Sequence, residues 1–82
     1  MRAGILKYTS KDIGRLIHDT RRSLGVTQKE LALTSGTGLR FIIELEKGKE
    51  TAEIGKVLTI LQTLGIKLAL TTPTSSASAR KG

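Results

Sequence analysis

The chain has 82 residues, with 14 lysine and arginine residues against 7 aspartate and glutamate residues, so its formal net charge is +7. It has no cysteine and one histidine, His18, which excludes a disulfide framework and argues against a zinc site, and its length suits one small domain. Such a charge repels itself unless a polyanion lies nearby, and nucleic acid is the most common polyanionic partner.

Other partners are less compatible with this composition. No apolar run approaches the roughly 20 residues that span a bilayer, and the first residues lack a signal-peptide core. We therefore expect a cytoplasmic protein that does not bind membranes. One Tyr, one Phe and no Trp are too few aromatic side chains for a base-stacking platform, so duplex DNA is favoured over single strands.

The first elements are an arm and a helix. Residues 1–9 are mixed in character and are predicted to form an N-terminal arm. Ser10 is predicted to cap the first helix, which Gly25 ends as a left-handed cap. Its apolar stripe has helical spacing and consists of Ile13, Leu16, Ile17 and Leu24. The charged residues expected to face away from that stripe are Arg15, Asp19, Arg21 and Arg22.

A second and a third helix are predicted on either side of a glycine turn. Thr27 and Glu30 fit a capping box, in which each side chain accepts a hydrogen bond from the other residue's backbone N–H. The turn is placed at Gly36, because glycine adopts a positive φ at little cost. The third helix is expected to begin at Gly38 or Leu39. Its apolar residues are Phe41, Ile42 and Leu45. Ile43 is also apolar, and the pattern is compatible with either a core or a groove-facing position for it.

A fourth helix and a strand complete the pattern. Thr51 is predicted to cap the helix and Gly65 to stop it, with an apolar stripe of Ile54, Val57, Leu58, Leu61 and Leu64. Residues 66–72 alternate between apolar and polar, which is typical of a strand. A lone strand needs a partner, either the N-terminal arm or the same strand of a second subunit across a two-fold axis. Residues 73–82 are predicted to be a disordered tail.

Two short helices joined by a glycine turn are an arrangement that places the second of them in the major groove of DNA. Helix N-termini offer unpaired N–H groups to phosphate. Arg40 is the strongest candidate for base reading, because arginine can bridge O6 and N7 of guanine. The predicted DNA-binding residues are Thr27, Gln28, Lys29, Thr37, Gly38, Leu39, Arg40, Ile43, Lys47 and Lys49.

Structural alternatives exist for several of these residues. Thr27 is first of all a helix cap. Arg40 is equally compatible with a solvated surface position. Glu44 and Glu46 are expected to pair with Arg40 or Lys47 along the third helix.

One motif begins with Thr27-Gln28-Lys29-Glu30-Leu31-Ala32, continues with Gly36 and Ile42, and ends with Leu45-Glu46-Lys47-Gly48-Lys49. It resembles the Xre/Cro/C1 family of helix-turn-helix regulators. The resemblance covers about residues 13–66. It implies a mostly α, lambda-repressor-like domain of four to five helices over residues 10–72. Gly38 and Ile43 depart from the residues usual at their positions in that family.

Residues 57–70 (VLTILQTLGIKLAL) carry a finer resemblance, to the HipB-type antitoxins, in which the final helix runs into a β-strand. In that family the strand pairs across a dimer, which here assigns dimerisation to Ile66, Lys67, Leu68, Ala69 and Leu70. The resemblance also implies binding to palindromic operators in the protein's own promoter and to a HipA-type serine/threonine kinase toxin.

The leading hypothesis is therefore a homodimeric DNA-binding antitoxin and autorepressor. The alternatives are an Xre-type or prophage regulator without a toxin partner, and a protein–protein adaptor with secondary DNA binding. An enzyme is not expected, because the sequence lacks a nucleophile–base cluster and a glycine-rich phosphate loop. No cofactor or metal is predicted.

Overall fold

The computed structural model describes residues 8–70, 72 and 73. These residues form four helices, α1 (Ser10–Ser23), α2 (Gln28–Ser35), α3 (Leu39–Glu46) and α4 (Ile54–Thr63). Helix α3 packs against α1 and α2, and α4 packs against α2. No helix in this described part is long and apolar enough to cross a membrane. Most of the predicted arm (1–9) and tail (73–82) lies outside the described residues.

Reciprocal threonine caps begin the first two helices. Thr27 caps α2 as predicted: its hydroxyl accepts from the Glu30 N–H at 3.0 Å, and the Glu30 carboxylate accepts from the Thr27 N–H at 2.9 Å. Helix α1 is capped by Thr9, so the prediction of Ser10 was wrong by one residue. The reason is Asp12, which stands three residues after Thr9 and closes the same reciprocal pair.

Helix α4 begins two residues later than the predicted cap implies. Glu53, not Thr51, precedes its first turn, and Glu53 makes no side-chain capping bond. Ala52 packs against the apolar core between these two positions. Glu50 and Thr51 lie in a turn, so the helix starts only after Ala52.

A single apolar core lies between the helices and consists of Ile17, Leu31, Ala32, Ile42, Leu45, Ile60, Leu61 and Leu64. Leu61 and Leu64 are buried as predicted. Ile60 is fully buried although it was not in the predicted stripe, whereas Ile54 and Leu58 were in it and are exposed. The predicted side of α4 is therefore right at its centre and wrong at its edges, which the contact with α2 decides and the periodicity of α4 alone does not specify.

The inward face of α1 also differs from the prediction. Ile17 is fully buried as expected, but Leu16 and Leu24 are exposed. Arg21, which was expected to face away from the core, is buried. Arg21 follows Ile17 by four residues and therefore lies on the same side of the helix.

Residues 66–70 have no regular secondary structure. Ile66 packs against the core, and its N–H donates to the Leu61 carbonyl at 2.9 Å. The predicted strand over 66–72 is thus not seen in the described part of this single chain. A strand that depends on a second chain for its hydrogen bonds has no reason to form in one chain.

Two glycines allow α1 to lie close to the end of α3. A Cβ on Gly14 would overlap the Leu45 carbonyl oxygen and lie 2.8 Å from the Glu46 carbonyl oxygen. Gly48 has φ +92°, and a Cβ there would lie 2.6 Å from Cγ of Lys11. A methyl group at Gly14 would meet backbone atoms, which cannot rotate away as a side chain can.

Gly14→Ala should therefore destabilise the fold by about 1–3 kcal/mol, the usual cost of overpacking a close contact. Gly55→Ala is the matched control, because Gly55 is also helical and a Cβ added to it would meet no atom within 4 Å. It should stabilise the protein by about 0.5–1 kcal/mol through helix propensity. Urea denaturation of both variants tests this. Equal stability of the two variants would contradict the close approach of α1 and α3.

Candidate nucleic-acid interface

The turn between α2 and α3 is short and is held by several hydrogen bonds. Gly36 adopts the left-handed conformation (φ 74°, ψ 21°) that ends α2, as predicted. The Thr37 N–H donates to the Ala32 carbonyl at 3.0 Å. The Ser35 hydroxyl bonds to the Leu31 carbonyl at 2.7 Å and lies 3.0 Å from the Thr37 hydroxyl. These bonds fix the path of the chain as it leaves α2.

Helix α3 has one buried side and one exposed side. Ile42 and Leu45 are buried in the core. Leu39 is 41% exposed at the start of the helix, and the Arg40 side chain is 87% exposed. Gly38 precedes the helix without a side chain that could cap it or obstruct its approach to a ligand. The first turn of α3 is thus the part that projects from the core into solvent.

A buried ion pair joins the end of α1 to the end of α3. The Arg21 guanidinium donates from Nε to Glu46 Oε2 at 2.7 Å and from Nη2 to Glu46 Oε1 at 3.1 Å. The two side chains are only 10% and 4% exposed. Arg21 Nη1 also donates to the Val26 carbonyl at 2.8 Å, in the loop before α2. The bidentate geometry fixes the orientation of both side chains.

Gln28 joins the same network from the first turn of α2. Its Nε2 donates to Glu46 Oε1 at 3.0 Å, so one carboxylate accepts from Arg21 and from Gln28. An amide nitrogen carries two hydrogens, which leaves one that could donate to a phosphate. Glu46 was predicted to pair along α3 with Arg40 or Lys47. That prediction was wrong, because Glu46 points inward to α1 and α2.

Glu44 forms an exposed charge cluster with two cations. Its carboxylate accepts from Lys49 Nζ at 3.0 Å and from Arg40 Nε at 3.4 Å. The pairing with Arg40 agrees with the prediction. The hydrogen bond and the charge of Lys49, followed by those of Arg40, lower the pKa of Glu44 below its ordinary value. Glu44 therefore stays ionised to a lower pH than a free glutamate would.

The other candidate residues lie mainly at the start of α2 and past the end of α3. A shallow depression of about 330 Å³ contains the start of α2 and is lined by Arg21, Arg22, Gly25, Val26, Thr27 and Gln28. A second, of about 310 Å³, lies past the end of α3 and is lined by Glu44, Lys47, Gly48 and Lys49. Lys29 is exposed, and Thr37 and Ile43 are half-buried.

Sequence reasoning missed three members of this region. Arg21 and Glu46 orient the helices, and Arg22 places an exposed cation beside the N-terminus of α2. The position of Arg21, four residues after Ile17, was a weak signal for burial, since arginine is seldom buried unless it is paired. Its partner was not recognisable, because Glu46 lies 25 residues away in the sequence. The described residues hold no group of three or more His, Asp or Glu that could bind a metal ion.

A capped short helix, a left-handed glycine turn and a second helix buried on one side define the helix-turn-helix class of DNA-binding modules. Residues 14–69 match the helix-turn-helix domain family, and the chain belongs to that family. Its members are DNA-binding regulators and not enzymes.

One relative is the uncharacterized HTH-type transcriptional regulator y4mF of Sinorhizobium fredii (strain NBRC 101917 / NGR234). It is 51% identical over 65 residues, which are 79% of this chain and 86% of the relative. Solved structures share the fold. They include a HipB–O4 20mer complex (TM-score 0.73, 24% identity, 82% of this chain and 94% of that one). A HipA–HipB–O2–O3 complex matches with the same TM-score, identity and coverage of both chains.

The buried ion pair leads to a stability prediction. Arg21→Met leaves the Glu46 carboxylate buried without its cation and should cost about 3–5 kcal/mol in the free energy of unfolding. Arg22→Met is the matched control and should change stability by less than about 0.5 kcal/mol, because Arg22 is exposed. Replacing both partners with Met should recover most of the loss. Urea denaturation measures all three variants, and equal effects of Arg21→Met and Arg22→Met would refute the pairing.

Proposed function

We propose that this chain is a homodimeric antitoxin that binds a palindromic operator, represses its own promoter and binds a HipA-type kinase toxin. The DNA-binding part rests on one observation above all. The first turn of α3 projects Leu39 and Arg40 into solvent, while Ile42 and Leu45 hold the opposite side of the helix in the core.

In the proposed complex the first turn of α3 enters the major groove. Arg40 reads guanine through O6 and N7, and Leu39 contacts a thymine methyl group. The residues expected to lie beside them on the same helix and its preceding turn are Thr37, Gly38 and Ile43. The N-terminus of α2 meets a phosphate, with support from Thr27, Gln28 and Lys29. Lys47 and Lys49 meet phosphates beyond the other end of α3.

Selection of bound duplexes from a random library tests this proposal, followed by affinity measurements on the selected site. Arg40→Ala should weaken binding to that site by about 1–3 kcal/mol and relax the preference at one base pair. Arg15→Ala is the control, because it removes the positive charge of another exposed arginine, which lies on α1. Failure of the wild-type protein to enrich any sequence would refute the proposal. Equal losses in the two variants would remove Arg40 from base reading.

The proposed dimer is supported by apolar side chains that one chain leaves uncovered. Leu68 is 53% exposed and Leu70 is 85% exposed. Both leucines alternate with polar or small residues, which is typical of a strand with one apolar side. Ile66 is held by the core, so the segment begins from a fixed point. Pairing of this segment with its copy across a two-fold axis would cover the leucines and satisfy the backbone groups.

Leu68→Lys combined with Leu70→Lys should convert the dimer to a monomer, because lysines on a pairing edge oppose association and like charges repel across the axis. Leu33→Lys is the control, since Leu33 is 76% exposed but lies on α2. Sedimentation equilibrium measures the mass of each full-length variant. A double variant that sediments as a dimer would contradict pairing through this segment.

The kinase partnership is supported by the resemblance of residues 57–70 to the HipB-type antitoxins and by the fold shared with the HipB of a HipA–HipB complex. A gene for a HipA-type kinase beside this one, with co-purification of the two products, would favour the antitoxin. A regulator without a toxin partner predicts operator binding alone. An adaptor predicts weak DNA binding with little sequence preference.

A further inference from the structure

Glu44 places a negative charge on the side of α3 that the proposed function turns toward DNA. Its carboxylate holds Lys49 at 3.0 Å and Arg40 at 3.4 Å. Its backbone carbonyl accepts from the N–H groups of Lys47 and Lys49, both at 3.1 Å. The turn that follows α3 is therefore built around Glu44, and two of the proposed DNA-contacting cations are already paired with it.

This pairing affects specific and non-specific binding differently. Non-specific binding depends on contacts between cations and phosphates. A phosphate must compete with Glu44 for Arg40 and Lys49, and the Glu44 carboxylate would then lie next to a polyanion. In the major groove, however, the N4 amino group of cytosine is a hydrogen-bond donor that a glutamate can accept. In a duplex that presents this amino group, its hydrogen bond to the Glu44 carboxylate can replace the bonds from the two cations.

We propose that Glu44 is a specificity-determining residue, which weakens binding to duplexes in general and favours a site with a cytosine amino group beside α3. This inference rests on the proposed function, because it requires α3 to lie in the groove. Glu44 would act by disfavouring wrong sequences, whereas Arg40 would act by favouring the right one. The geometry supports it independently of base contacts by Arg40, since Glu44 and Lys49 are paired by both side chain and backbone.

The test compares full-length Glu44→Gln with the wild-type protein on the selected duplex and on a scrambled duplex, across a range of salt concentrations. The variant should bind the scrambled duplex about fivefold tighter at physiological salt and steepen the salt slope by about 1, as expected for one additional phosphate contact. Its ratio of specific to non-specific affinity should fall. A repeated selection should show that the preference at one cytosine position is lost.

Glu53→Gln is the matched control, because it removes the same charge and an exposed pair with Lys56 at 3.6 Å, but at the start of α4. It should leave the affinity ratio and the selected sequence unchanged. Thermal unfolding of both variants checks that each is folded.

The outcomes separate this inference from the proposed function. If the wild-type protein selects no site, the proposed function fails. If it selects a site and Glu44→Gln retains both the sequence preference and the affinity ratio, only the role of Glu44 is overturned. A general gain in affinity that is equal for Glu53→Gln and Glu44→Gln would also overturn it, because net charge alone would explain the gain.

Discussion

Arg21 and Glu46 form a buried ion pair between the end of α1 and the end of α3, and the rest of the interface is arranged around it. The carboxylate also accepts from Gln28 in α2, and the guanidinium donates to the Val26 carbonyl. Four segments of the chain thus meet at two side chains. Because a buried charge without its partner is costly, this network disfavours other orientations of α3 relative to α2.

Gly14 makes the ion pair possible, since α1 could not lie so close to the end of α3 with a larger residue there. The apolar core supplies the remaining constraint, through Ile42 and Leu45 on the inner side of α3. Their burial leaves the first turn of the helix as the projecting part. Packing, a close approach and an ion pair therefore act together to present one short helix to solvent.

Charges of both signs lie on the exposed side of α3. The net charge of +7 favours association with any duplex. Glu44 pairs with Lys49 and Arg40 on α3 itself, and we propose that its negative charge opposes that general attraction. A regulator that must find one site among many benefits from weaker non-specific binding, because the ratio of affinities decides occupancy.

The local elements were predictable from the sequence: the Thr27–Glu30 cap, the turn at Gly36 and the start of α3 each depend on residues a few positions apart. Packing between helices settled two further points: that Ile60, and not Ile54 or Leu58, joins Leu61 in the core, and that Arg21 pairs with Glu46. Those outcomes depend on how helices distant in sequence lie against one another. Local periodicity defines a stripe along a helix, but the neighbouring helix selects which stripe becomes core.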